Sequence, residues 1–128
     1  MGDKGRIAIL VDDMFFAAKI RGAAQNAARD IVSVKSLEQL EKMLDDPPAM
    51  VIVDLNSERV DGVAAVATLK RQPAMKSIPI IGFLSHVQVD LKLAAESAGC
   101  DYVIPRSLFS IKLPDIVGGD LSSLPKNA

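Results

Sequence analysis

Apolar positions run through this chain in two rhythms. One is a set of short solid runs: Ile7-Ala8-Ile9-Leu10-Val11, Val51-Ile52-Val53, Ile80-Ile81-Gly82-Phe83-Leu84 and Tyr102-Val103-Ile104. Runs without polar alternation predict strands buried on both faces, as in a parallel sheet. Between them lie longer stretches whose apolar residues stand three and four apart, the spacing of helices packed by one face. Phe16, Ile20, Ala23 and Ala27 mark the first such face, and Leu37, Leu40 and Leu44 the second. Val63, Val66 and Leu69 mark the third, and Val87, Leu91, Ala94, Ala95 and Ala98 the fourth.

The predicted order is strand 6–11, helix 14–28, strand 31–35, helix from Ser36, strand 49–54, helix 62–72, strand 78–84, helix 87–98, strand 102–104 and helix 107–117. Val32 and Val34 alternate with polar neighbours, as on a sheet edge. Ser36 with Gln39 three residues on has the spacing of a capping box. Asp45-Asp46-Pro47-Pro48 and Pro73 stop helices, and Gly99 supplies a C-terminal cap. Pro114 interrupts the last helix, where Leu108, Ile111 and Ile116 are apolar. A surface near Ile111 and Ile116 suits a homodimer.

Five strand–helix alternations predict an α/β fold, a (βα)5 doubly wound parallel five-stranded sheet between helix layers. No internal repeat or second domain is visible. The reading is one domain over residues 1–119 with a flexible C-terminal tail over 120–128.

Composition narrows the chemistry. The chain has 128 residues, a formal net charge of −1 and no Trp, so its core is aliphatic and nothing marks a nucleic-acid footprint. One Cys and one His exclude an internal disulfide, a thiolate metal cluster and a multi-histidine site. Cys100 sits among apolar residues, as a buried structural thiol does. No apolar run is long enough to span a membrane, and the N-terminus does not resemble a signal peptide. A soluble cytoplasmic protein is expected.

Two of the buried runs end in acids. The first leads to Asp12 and Asp13, and the third strand ends at Asp54-Leu55-Asn56. Ligands of open parallel sheets bind beyond the carboxyl ends of the strands. If these strands are neighbours, three carboxylates meet at one rim and repel one another unless a cation lies between them. Helix capping is the alternative for Asp12 and Asp13. It fits Asp54 poorly, because a loop follows.

Leu10-Val11-Asp12-Asp13 and the segment from Val53-Asp54 to Asp61-Gly62 resemble the acidic pair and the phospho-acceptor segment of a known family, the receiver domains of two-component response regulators of the chemotaxis type. The resemblance covers roughly residues 6–117 and implies strand order 2-1-3-4-5, the flavodoxin-like arrangement. It implies that Asp54 accepts a phosphoryl group from a phosphohistidine of a histidine kinase or phosphotransfer protein. Mg2+ would be held by Asp13, Asp54 and the Asn56 carbonyl, with Asp12 acting through water. A phosphorylated domain of this kind would signal by docking to a downstream protein.

The departures are specific. The family's strand-four hydroxyl falls on Leu84, with Ser85 one residue late, so that only a local bulge would bring Ser85 into register. The family's lysine falls on Arg106, which keeps the charge on a planar fork. Arg106 as an ordinary surface cation remains open. Asn56 and His86 match the positions that tune dephosphorylation, although a solvated helix start explains His86 more simply. The aromatic switch place goes to Val103, and Tyr102 beside it is read as packing. Two readings follow: a stand-alone receiver switched at Asp54, or a degenerate receiver that binds a partner without phosphorylation. Unrelated enzymes on the same layout lack their motifs here, with no Gly-x-Gly-x-x-Gly after the first strand and no second Asp at Asn56.

Overall fold

The computed structural model describes residues 5–85 and 88–125. The N-terminal residues read above for a leader, and His86 and Val87, lie outside them. Five strands and five helices alternate: β1 Ile7–Leu10, α1 Met14–Asn26, β2 Ile31–Ser33, α2 Leu37–Met43, β3 Met50–Asp54, α3 Gly62–Lys70, β4 Ile80–Leu84, α4 Val89–Ala98, β5 Tyr102–Pro105 and α5 Arg106–Val117. A short 3-10 turn, Pro73–Met75, precedes β4. All strands are parallel, in the order β2-β1-β3-β4-β5. This is the doubly wound (βα)5 sheet that the alternation and the resemblance predict.

The central strands are buried on both faces, and their side chains divide by parity. Ala8, Leu10, Val51, Val53 and Val103 join one apolar cluster, completed by Leu40 of α2, Val66 and Leu69 of α3 and Ala95 of α4. Ile7, Ile9, Ile52, Phe83 and Ile104 join the other, with Ile20 of α1 and Phe109, Leu113 and Ile116 of α5. A period of two along each strand therefore feeds two cores at once, which is why the strands read as unbroken apolar runs. The sheet's rigidity fixes where each strand ends.

Local chemistry sets the element ends. Ser36 accepts from Gln39 N–H at 3.1 Å, and Gln39 Oε1 accepts from Lys35 N–H at 2.7 Å, a capping box shifted by one residue. Gly99 closes α4 at φ 109° in the left-handed region. Leu55, immediately after Asp54, is buried against two glycines. A Cβ on Gly82 would stand 2.9 Å from Leu55 Cδ1, and one on Gly62 would stand 3.2 Å from Leu55 Cα. Those two positions are small because the residue that seats Asp54 needs the space.

Three expectations are corrected. Pro114 does not interrupt α5, which runs through it. The proline removes one donor, but Gly118 N–H still bonds Pro114 O at 3.2 Å, and burial of Leu113, Ile116 and Val117 holds the final turn. Ile111 is 72% exposed and Ile116 fully buried, so the two do not share a surface. On α2 the inward residues are Leu40 and Met43, and Leu37 stands exposed. In the loop after β3, Val60 is buried. Beyond α5, Leu124 is buried against the second cluster.

Ala28 closes α1 with φ 57°, a left-handed conformation where a Cβ is strained. Ala28→Gly is expected to stabilise the fold by about 0.5–1 kcal/mol, read as a raised midpoint in urea; an unchanged or lowered midpoint would contradict it. Cys100 is buried, and burial pushes its thiol up to about 12, in keeping with a structural role.

Candidate functional site

Leu10 of β1 is paired with Val53 of β3, so the residues just past each strand emerge at the same rim. Asp12, Asp13 and Asp54 line one open cavity of about 630 Å3, with Asn56 and Arg106 on its walls. The sheet brings together the three carboxylates that the sequence placed at the ends of two strands.

Each acid is held differently. Asp12 is turned into the loop after β3. Its Oδ2 accepts from Ser57 Oγ at 2.7 Å, Arg59 N–H at 3.0 Å and Glu58 N–H at 3.1 Å. Burial pushes its pKa up, but these three donors and the charge of Arg59 outweigh it and hold the carboxyl below its usual range. Asp13 caps α1, with Oδ1 accepting from Phe15 and Phe16 N–H at 2.9 and 3.1 Å. Its Oδ2 lies 3.6 Å from Arg106 Nη1. Capping and membership of the pocket are therefore both true of it.

Asp54 is 3% exposed, the one buried charged residue among the described residues. Its Oδ1 accepts from Asn56 N–H at 2.9 Å, and its Oδ2 lies 3.7 Å from Arg106 Nη2. Burial raises its pKa, and the charges of Asp12 and Asp13 add to that. Asn56 N–H and Arg106 oppose it without cancelling it. A buried carboxylate that is short of positive charge is poised to take up a cation.

Arg106 follows β5 directly. Its guanidinium carbon stands 5.1 Å from the ring centre of Phe16 and 5.5 Å from that of Phe83. Those rings pack 4.8 Å apart, and Phe83 stacks on Phe109 at 4.7 Å. A planar cation can lie on rings and face two carboxylates at once; an ammonium cannot span them in this way.

β4 is regular to its end, with Phe83 paired to Ile104 and Leu84 to Pro105. No bulge moves Ser85. Leu84 is buried in the first cluster. Ser85 lines a neighbouring cavity of about 400 Å3 with Phe16 and Ser107, outside the lining of the acidic one. Tyr102 is buried in the α1/α5 cluster and Val103 in the opposite one, so Tyr102 packs on the side away from α4. The tuning position His86 lies outside the described residues.

Sequence reasoning missed four participants. Ser57 donates to Asp12 and also accepts from Arg59 and Val60 N–H, both at 3.2 Å; a serine two and three residues before those amides was its local signal. Phe16 and Phe83 were read only as core, and Gln88 not at all. Their roles depend on contacts distant in sequence.

Among the described residues, no three His, Cys, Asp or Glu side chains stand together as a metal cluster. The commitment of Asp12 to its loop accounts for this. Asp13 and Asp54 remain, and one or two carboxylates with waters is the donor set that Mg2+ takes. The residues fit such a cation.

No family model matches the chain. No curated protein matches it either. Solved structures do match. The phosphorylated cyanobacterial phytochrome response regulator RcpA is 21% identical, with TM-score 0.75 over 97% of this chain and 99% of that one. The signal receiver domain of a signal transduction histidine kinase from Syntrophus aciditrophicus is 22% identical, with TM-score 0.77 over 97% and 95%. The Mn2+-bound form of response regulator Rcp1 is 14% identical, with TM-score 0.76 over 97% and 99%. The fold of this chain is the receiver fold of response regulators. No helix among the described residues is long and apolar enough to cross a membrane.

Proposed function

We propose that this chain is a receiver that accepts a phosphoryl group on Asp54 from the phosphohistidine of a histidine kinase or phosphotransfer protein, and signals by docking to a further protein. One observation carries the reading. Asp54 is buried at a strand end with Oδ1 held by Asn56 N–H and Oδ2 opposite Arg106, in a cavity shared with Asp12 and Asp13. In the transfer, Asp54 Oδ2 forms a bond to phosphorus as the phosphorus–nitrogen bond of the donor breaks. The electron pair returns to the imidazole, which takes up a proton. Arg106 faces the charge that gathers on the phosphoryl oxygens.

Asp13, Asp54 and the Asn56 carbonyl would hold Mg2+, and Asp12 would act through water. The cation supplies charge neutralisation between two anions that otherwise repel. Met14 and Phe15, which follow Asp13 in the sequence, are 84% and 91% exposed and offer apolar surface suited to a protein donor.

A second reading has its own support. Leu84 is buried where the family has a hydroxyl, and Ser85 lines a different cavity. A receiver lacking that hydroxyl could bind a partner unphosphorylated. Incubation with a small acyl phosphate, with Mg2+ or with a chelator, followed by intact mass measurement, separates the two. The expected result is one phosphoryl adduct that needs Mg2+ and is lost in Asp54→Asn. No adduct with any donor would support the second reading.

A further inference from the structure

One side chain ties the connection between β4 and α4 to the acidic cavity. Asn56 Nδ2 donates to Gln88 Oε1 at 2.9 Å, and Asn56 Oδ1 accepts from Ser85 N–H at 2.7 Å. Both ends of that connection are thus held by the residue two past Asp54. The backbone N–H of the same residue donates to Asp54 Oδ1. Gln88 stands at the N-cap of α4 and makes no side-chain cap bond. Side chains at such positions ordinarily satisfy the first helical amides. Gln88 instead reaches 32 residues back along the sequence.

We propose that Gln88 is a positioning residue for the chemistry at Asp54, acting through Asn56. An asparagine amide offers a donor and an acceptor on opposite sides. With Gln88 accepting from its NH2, the carbonyl oxygen is fixed toward Ser85, and the Asn56 backbone is clamped between the loop and Asp54. The carboxylate rotamer follows, because Oδ1 is held by Asn56 N–H and Oδ2 is left toward Arg106 as the reacting oxygen. Leu84 supplies no hydroxyl at the end of β4, so in this chain the amide pair links the cavity to the start of α4. Gln88 also lines a groove of about 210 Å3 with Val89, Lys92 and Val103, where Val89 is 63% exposed. The clasp therefore joins the acceptor's neighbour to an accessible apolar surface. The positioning role rests on the proposed phosphoryl chemistry; the clasp itself does not.

Two near-isosteric substitutions test it. Gln88→Met keeps length and packing but removes the acceptor, whereas Gln88→Glu keeps the acceptor. In the unphosphorylated chain, the Ser85 and Asn56 amides are expected to exchange with solvent about fivefold faster in Gln88→Met and near the native rate in Gln88→Glu. The rate of adduct formation on Asp54 is expected to fall in the first variant and recover in the second. Unchanged amide exchange in Gln88→Met would overturn the clasp, whatever the reactivity of Asp54. Loosened amides with an unchanged adduct rate would overturn the positioning role. Loosened amides with no adduct in any variant, the native chain included, would sustain the clasp and refute Asp54 as acceptor, and the positioning role with it.

Discussion

Asp54→Asn is expected to raise the melting temperature at pH 7 by ~4 °C and to abolish the response to Mg2+. Burial and two neighbouring carboxylates push the Asp54 pKa up. The folded chain then holds the Asp54 proton more tightly than the unfolded chain does. By linkage, stability falls as pH rises from the unfolded value near 3.8 through the raised folded value. Above that window the charged form opposes folding in full. Asparagine keeps an oxygen to accept from Asn56 N–H and removes the charge. Relief of a strained functional site typically contributes about 1 kcal/mol, which is ~4 °C for a chain of this size. Near pH 3 both forms are neutral and the gain should vanish. Mg2+ is expected to stabilise the native chain by mass action and leave the variant unmoved. Scanning calorimetry across pH, with and without Mg2+, reads all of this. A variant that melts lower at pH 7, or that still responds to Mg2+, would contradict it. Asp12 has the opposite sign: its lowered pKa contributes stability at neutral pH that is lost on acidification.

The second large effect belongs to Arg106. Arg106→Ala is expected to slow phosphorylation of Asp54 by about 10²-fold, the usual consequence of removing one preorganised donor from developing charge. Arg106→Lys should lose about tenfold, because its ammonium keeps the charge but forfeits the stack on Phe16 and Phe83 and the span from Asp13 to Asp54. The pH dependence should move as well. Arg106 lowers the Asp54 pKa, so its removal should shift the acid limb of the rate profile to higher pH, since the ionised carboxylate is the nucleophile. Equal rates for the three chains would remove Arg106 from the chemistry. A faster Arg106→Ala chain would make it a guard against the cation instead.

The sheet and the rim were legible because their signals are local. Apolar runs that end in Asp12, Asp13 and Asp54 carry both the strand and its tip, and the parallel pairing does the rest. Pro114 misled because helix propensity is a local quantity, while the burial of Leu113, Ile116 and Val117 that overrides it is not. The same limit hid the inner shell. The bond from Ser57 to Asp12 spans 45 residues and that from Asn56 to Gln88 spans 32. Neither spacing follows a helical or strand period, so no pattern of apolar positions announces it. The Leu84 and Ser85 offset was readable by counting, and the regular register of β4 keeps Ser85 out of the acidic cavity.

The central claim is that Asp54 is the atom-bearing acceptor of the site. Its most direct measurement is to treat the chain with a small acyl phosphate and Mg2+, reduce the product with borohydride, and map the peptides. Reduction converts an aspartyl phosphate to homoserine and marks its position. The expected result is homoserine at position 54 alone. Homoserine at the place of Asp12 or Asp13, or none anywhere while a control receiver is labelled, would contradict the account.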